Sequence, residues 1–227
     1  MEVPPVFQIG PLGITTPVIT TWAIMLAFLI LSWILTRNLK EDPGEGQVIL
    51  EGLIGAMDSA VRDMLPTAGT QVLPFIGTLW MFIVVANLVG IIPGLKSPTG
   101  VLSTTAALAV LVFVSVHWYG IRSEGLRAYL GHYLEPSPIL LPFHLMSEVT
   151  RTITLAVRLF GNIMSLEMAV LLVLLVAGFL VPVPLLILHV IEALIQAYIF
   201  GMLALIYIAS AIQSQQLHQS EKRDNHA

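Results

Sequence analysis

Cysteine is absent from the 227-residue chain, which excludes disulfides, thiol catalysis, cysteine-ligated zinc and iron–sulfur clusters. Charge is scarce too: Asp, Glu, Lys and Arg make up 11% of the residues, against about a quarter in a soluble domain. No Gly-rich phosphate-binding loop is present, so the chain is not expected to hydrolyse a nucleotide by itself. The net charge of −4 offers no basic footprint for nucleic acid. Lys and Arg are also missing ahead of the first apolar run, where Glu2 and Pro4 stand, so a cleaved leader is not expected.

What the chain has instead is apolar residues, 56% of the total. That is a membrane protein's composition, and the length has room for about five or six spans of roughly 20 residues. The expected fold is all-α: a polytopic bundle in a single membrane domain, with spans at about 17–36, 72–93, 101–120, 143–180 and 184–211. Segment 48–65 differs from these. Ile49, Leu53, Met57, Ala60 and Met64 recur at helical spacing, but Glu51, Asp58, Arg62 and Asp63 interrupt them, which fits an amphipathic helix on the membrane surface. Residues 121–138 read as a polar loop and Val181–Pro184 as a tight turn. The tail 213–227, rich in Gln, His and charge, reads as disordered.

The fourth span is too long to stand upright. From His144 to Leu180 it would make about 55 Å of helix, whereas the hydrocarbon core is about 30 Å thick. No proline interrupts it, so the last two helices are expected to be long and strongly tilted. With five spans, Arg37, Lys40, Arg62, Arg122, Arg127, Lys222 and Arg223 fall on one side and only Lys96 on the other. The N-terminus is then outside and the C-terminus in the cytoplasm.

Arg151 and Arg158 remain inside the membrane. A charge at that depth costs at least a few kcal/mol and is by default a functional candidate that faces protein or water. Leu155, Ala156, Val157, Leu159 and Phe160 surround Arg158, so its partner must come from elsewhere. Positions 144, 148, 151, 155, 158, 162 and 165 share one helical stripe and read His, Glu, Arg, Leu, Arg, Asn, Ser. Glu148 and Arg151 can also be read as a local ion pair. Glu167 lies about 13.5 Å beyond Arg158 and on the opposite side of the helix. On the last helix His189, Glu192 and Gln196 share a face. If the two helices form an antiparallel hairpin turning near 178–182, Glu167 should lie level with His189, and Arg158 with Gln196. Glu167 and His189 then read as a proton-relay pair or as a simple interhelical hydrogen bond. For Gln196 and Asn87 the competing reading is helix-to-helix adhesion.

The run Arg158-Leu-Phe-Gly-Asn162 followed by Glu167 resembles the signature of subunit a of the F-type ATP synthases. Asn87-Leu-Val-Gly-Ile-Ile-Pro-Gly94 with Ser97-Pro-Thr99, and Leu194-Ile-Gln-Ala-Tyr-Ile-Phe200, resemble the same family's other motifs in the same order. The resemblance implies a five-span subunit of the bacterial plasma (inner) membrane, whose two long helices curve against a rotating ring of c subunits. It implies b-type peripheral-stalk subunits and a soluble ATPase sector as further partners, with lipid around the bundle. It makes Arg158 the essential arginine facing a ring carboxylate, and Asn162, Glu167, His189 and Gln196 residues of the ion path, with Glu192 a further candidate. His144 stands where many members carry a glutamate, so His144, Glu148 and Arg151 are the candidates for the cytoplasmic half-channel. Ser147-Glu-Val-Thr-Arg151 is similar to the N-ATPase branch, which raises Na+ as the alternative to H+ as the transported ion. No bound cofactor is implied. A self-contained secondary transporter is the rival reading, but the internal repeat with broken helices that it favours is not seen.

Overall fold

The computed structural model describes residues 5–9, 12–37, 45–66, 68–92, 95–125, 141–177 and 183–224. It opens with a two-stranded antiparallel hairpin, β1 (Pro5–Ile9) and β2 (Leu12–Thr15), paired from Ile9↔Leu12 back to Pro5↔Thr15. Hydropathy gives no warning of this hairpin, although Gly10-Pro11 between the strands is a turn signal. Among the described residues six α-helices follow: α1 (Thr16–Arg37), α2 (Glu45–Met64), α3 (Gly69–Leu88), α4 (Leu102–Glu124), α5 (Leu141–Ala177) and α6 (Val183–Asp224). Short 3₁₀ turns occupy Val89–Ile91 and Pro98–Gly100.

Five of these helices, all but α2, are long and apolar enough to cross a membrane. α5 is a single helix of 37 residues, as the absence of proline from His144 onward predicts. Pro142 and Pro184 stand in the first turns of α5 and α6, where a missing N–H is harmless. The disordered tail is corrected by the structure, because α6 continues through Gln213 to Asp224. Gln, Glu and Lys are good helix formers, and no Gly or Pro follows Gly201 to stop the helix. α4 also runs past the expected end at 120 to Glu124. The rest of the polar loop, residues 181–182 of the expected turn and residues 225–227 lie outside the described residues.

α4 packs against both α5 and α6, and α3 packs along α6. In lipid the apolar effect does not drive helices together, so close van der Waals approach through small side chains must do so. Ala193, Ala197 and Gly201 repeat every four residues on α6, and all three are buried. Against this side sit Val72, Ile76, Leu79, Trp80 and Ile83 of α3, with Val61 and Leu65 closing the core from the α2 end. α1 is the reverse case: Trp22, Leu26 and Leu29 are exposed, as on a helix surrounded by lipid. α2 presents Val48, Ile49, Leu53 and Ile54 outward, so it carries a second apolar surface in addition to the buried one.

Candidate functional site

α5 and α6 are antiparallel partners, and two contacts fix their register. Asn162 Nδ2 donates to Gln196 Oε1 at 2.6 Å, and the Arg151 guanidinium lies over the Tyr207 ring, 4.5 Å from its centroid. Moving back from 162 to 151 on α5 therefore corresponds to moving on from 196 to 207 on α6. In this register Arg158 is level with Phe200, so Gln196 lies one turn away and bonds Asn162. The expected pairing of Arg158 with Gln196 is thus displaced by a helical turn.

Arg158 is exposed on the surface of the bundle. It makes no hydrogen bond or ion pair with any described residue. Val157, Ile191, Leu194 and Ile195, also exposed, make an apolar surface on the same two helices. A cation therefore stands mid-span on an apolar face without an acidic partner among the described residues.

Toward the C-terminal half of α5, a polar network forms at the C-terminal end of α3. Ser97 Oγ donates to Ala86 O at 2.9 Å and is 2.6 Å from Thr99 Oγ1, which donates to Asn87 Oδ1 at 2.6 Å. Asn87 Nδ2 reaches across to Ala193 O at 3.3 Å. Asn87 O lies near the helix end, where carbonyls lack intrahelical donors, and His189 Nε2 is 3.3 Å from it. A carbonyl only accepts, so Nε2 carries a hydrogen. His189 and Gln196 are each 2% exposed. Asn87, read from sequence as adhesive, thus also orients His189.

Glu167 enters this region from α5. Its carboxylate rests against Gly90 and Gly100, which flank the Ser97–Thr99 segment. A Cβ at Gly100 would sit 3.1 and 3.2 Å from its two oxygens, and one at Gly90 would sit 3.2 Å from Oε1. The two glycines therefore make the recess that admits the carboxylate. Glu167 and His189 serve one cluster, but no ion pair joins them among the described residues. Glu167 Oε1 and Gln196 Nε2 are buried without a hydrogen-bond partner in the described chain, an arrangement that costs about 1–3 kcal/mol each unless water or a transported ion satisfies it. Glu192 is half-buried one turn beyond His189.

On the other side of Arg158, Glu148 does not pair with Arg151. Its Oε2 lies 3.3 Å from His117 Nε2 on α4, while Arg151 takes the Tyr207 ring. His144 is exposed near the start of α5. His117 was invisible to spacing arguments confined to the last two helices, although an ionisable residue inside an apolar span is itself a signal. Among the described residues no group of three or more His, Cys, Asp or Glu is placed to hold a metal ion.

A family model described as "ATP synthase A chain" matches residues 18–209. "ATP synthase subunit a 1" of Hahella chejuensis is 61% identical over 206 residues, covering 91% of this chain and 88% of that protein. "ATP synthase subunit a 2" of Pelobacter propionicus is 57% identical over 218 residues, covering 96% of each. "ATP synthase subunit a" of Legionella pneumophila strain Paris is 57% identical over 212 residues, covering 93% of this chain and 92% of that protein. A match across most of the chain, with the Arg158, Asn162 and Gln196 region inside it, shows that this five-span membrane protein belongs to the ATP synthase A chain family.

Proposed function

We propose that the chain is the ion-conducting stator subunit of a rotary F-type ATP synthase, and that it couples ion flow to rotation of a ring of carboxylate-bearing c subunits. The observation that carries this reading is Arg158: mid-span, exposed on an apolar face and without an acidic partner among the described residues. Leaving such a charge in lipid costs several kcal/mol, so its counter-ion belongs to a neighbouring subunit. The chain does no ATP chemistry itself. That belongs to the soluble sector, held in place through b-type stalk subunits.

Ions enter from outside beside Glu167, His189 and Asn162 and neutralise a ring carboxylate, which can then turn into lipid. After almost a full turn the site meets the inner half-channel near His144, Glu148 and Arg151 and releases its ion. Arg158 promotes that release, since an opposite charge within about 4–6 Å favours an ionised carboxylate. It also blocks a direct path between the two half-channels. The placement of Glu167 and Glu148 on opposite sides of Arg158 along α5, about 13.5 and 15 Å away, supports the lateral offset that gives torque. The ion is a proton, with sodium as the alternative raised by the N-ATPase resemblance.

The missing cysteine makes a direct test simple. Ser147→Cys and Met168→Cys complexes, treated with a membrane-impermeant thiol reagent, should each lose ion pumping when the reagent is on one side only. The sides should be opposite: cytoplasmic for Ser147→Cys and external for Met168→Cys. Block of both from the same side would rule out two half-channels. A self-contained transporter would instead pump as the isolated chain.

A further inference from the structure

His117 lies in α4, within a 22-residue apolar span, and none of the motifs above includes it. Its Nδ1 is 2.9 Å from Phe113 O, one turn back on the same helix. A carbonyl oxygen can only accept, so Nδ1 bears a hydrogen. The neutral ring then has a lone pair on Nε2, which lies 3.3 Å from Glu148 Oε2 on α5. With Glu148 ionised and His117 neutral, two lone-pair-bearing atoms would lie within contact distance with no proton between them in a half-buried site. A single proton between the groups removes that clash. It can sit on Nε2, giving imidazolium and carboxylate, or on the carboxyl, which then donates to Nε2.

The surroundings suit a proton that moves. Glu148, His117, Arg151, Thr152 and Tyr207 line a cavity of about 20 Å³, enough for one water. The titratable and charged groups facing it come from all three packed helices: His117 from α4, Glu148 and Arg151 from α5, and Tyr207 from α6. Arg151 is held over the Tyr207 ring at 4.5 Å and contributes a fixed positive charge at the edge of the cavity. Glu148 is ten residues from Arg158 on the side away from Glu167, about 15 Å along the helix.

We infer that His117 and Glu148 form a one-proton station on the release side of Arg158, accepting a proton from the ring by way of water and passing it to the aqueous phase. The inference rests on the half-channel reading given above and adds a residue from a helix outside the α5–α6 pair. The step balances as a proton hop. The ring carboxylic acid loses H+, the His117–Glu148 pair gains it, and the pair returns to its starting state on giving H+ to water. The transported ion at this station is the proton itself.

The test uses the whole complex in membrane vesicles, reading ATP-driven acidification and, after removal of the soluble sector, passive proton conductance. His117→Gln keeps an N–H donor toward Glu148 but cannot relay a proton. Conductance should fall about tenfold or more with normal amounts of assembled complex, and the exchange His117→Glu/Glu148→His should restore most of it. Wild-type conductance in His117→Gln overturns the station, since a structural bridge tolerates an amide. If His117→Gln fails to assemble, the exchange decides: assembly with conductance supports the station, while assembly without conductance, or failure of both variants to assemble, overturns it. Arg158→Ala run in parallel separates the two claims. Loss of coupling there alongside normal His117→Gln removes only the station, whereas retained coupling there removes the half-channel reading beneath it.

Discussion

Arg158→Ala complexes should assemble in normal amounts and show no ATP synthesis driven by an ion gradient. Assembly should survive because Arg158 is exposed and bonds to no described residue of its own chain, so truncating it leaves no buried group unsatisfied. In the proposed mechanism coupling should be lost, because the exposed neighbours Val157, Ile191, Leu194 and Ile195 are apolar and cannot take the place of the guanidinium. Opposite charges at about 4–6 Å shift a carboxylate by roughly one to three units, so losing the guanidinium removes about 1.4–4 kcal/mol of preference for release. Arg158→Lys should also impair coupling, since an ammonium gives up its proton far more readily than guanidinium in a poorly hydrated site. Synthesis assays and complex yield, measured on the same membranes, separate loss of mechanism from loss of protein.

The second large effect is structural. Gly201→Ala should lower the thermal midpoint of the detergent-solubilised complex, because overpacking at this contact costs about 3 kcal/mol. A Cβ at Gly201 would overlap the Trp80 indole. That indole has little freedom to withdraw. Its Nε1 donates to Tyr198 O at 3.3 Å, and the ring stacks on Tyr198 with centroids 6.1 Å apart and planes 9° from parallel. The displaced contact joins α3 to α6, the helix carrying His189 and Gln196, so activity should fall along with stability. Gly201→Ala combined with Trp80→Leu should recover part of the loss by making room. Gly55→Ala on α2 is the control: a Cβ there meets nothing within 4 Å, and replacing a helical glycine should stabilise by up to about 1 kcal/mol.

The pattern of apolar length was enough to find five spans and the unbroken α5, because in lipid every backbone group must be satisfied within its own helix. Arg158 was legible for the same reason, as a charge is expensive where neighbours are apolar. Register was less so. In a helical hairpin, moving the pivot by one residue moves every level partner by two, and the Val-Pro-Val-Pro turn does not fix the pivot from sequence. Asn162 rather than Arg158 therefore meets Gln196. Partners from other helices were beyond reach: spacing on α5 alone offers Arg151 to Glu148, while the packing of α4 supplies His117. Gly90 and Gly100 could be read only as turn residues until the Glu167 carboxylate was placed against them. The tail shows propensity prevailing over composition, since Gln, Glu and Lys mark both disordered and helical segments.

In the proposed mechanism Arg158 is half of a site whose other half is a carboxylate on a moving neighbour. Gly161 is three residues from Arg158 on the same exposed side of α5, and a Cβ there meets nothing within 4 Å, so a cysteine can be placed without disturbing the subunit. Paired with a single cysteine one turn from the ring carboxylate, in a complex whose other cysteines have been replaced, Gly161→Cys should form an intersubunit disulfide under mild oxidation and stop rotation, with activity returning on reduction. Val114→Cys, exposed on α4, should not cross-link. No disulfide at position 161, with efficient cross-linking at position 114, would contradict the account.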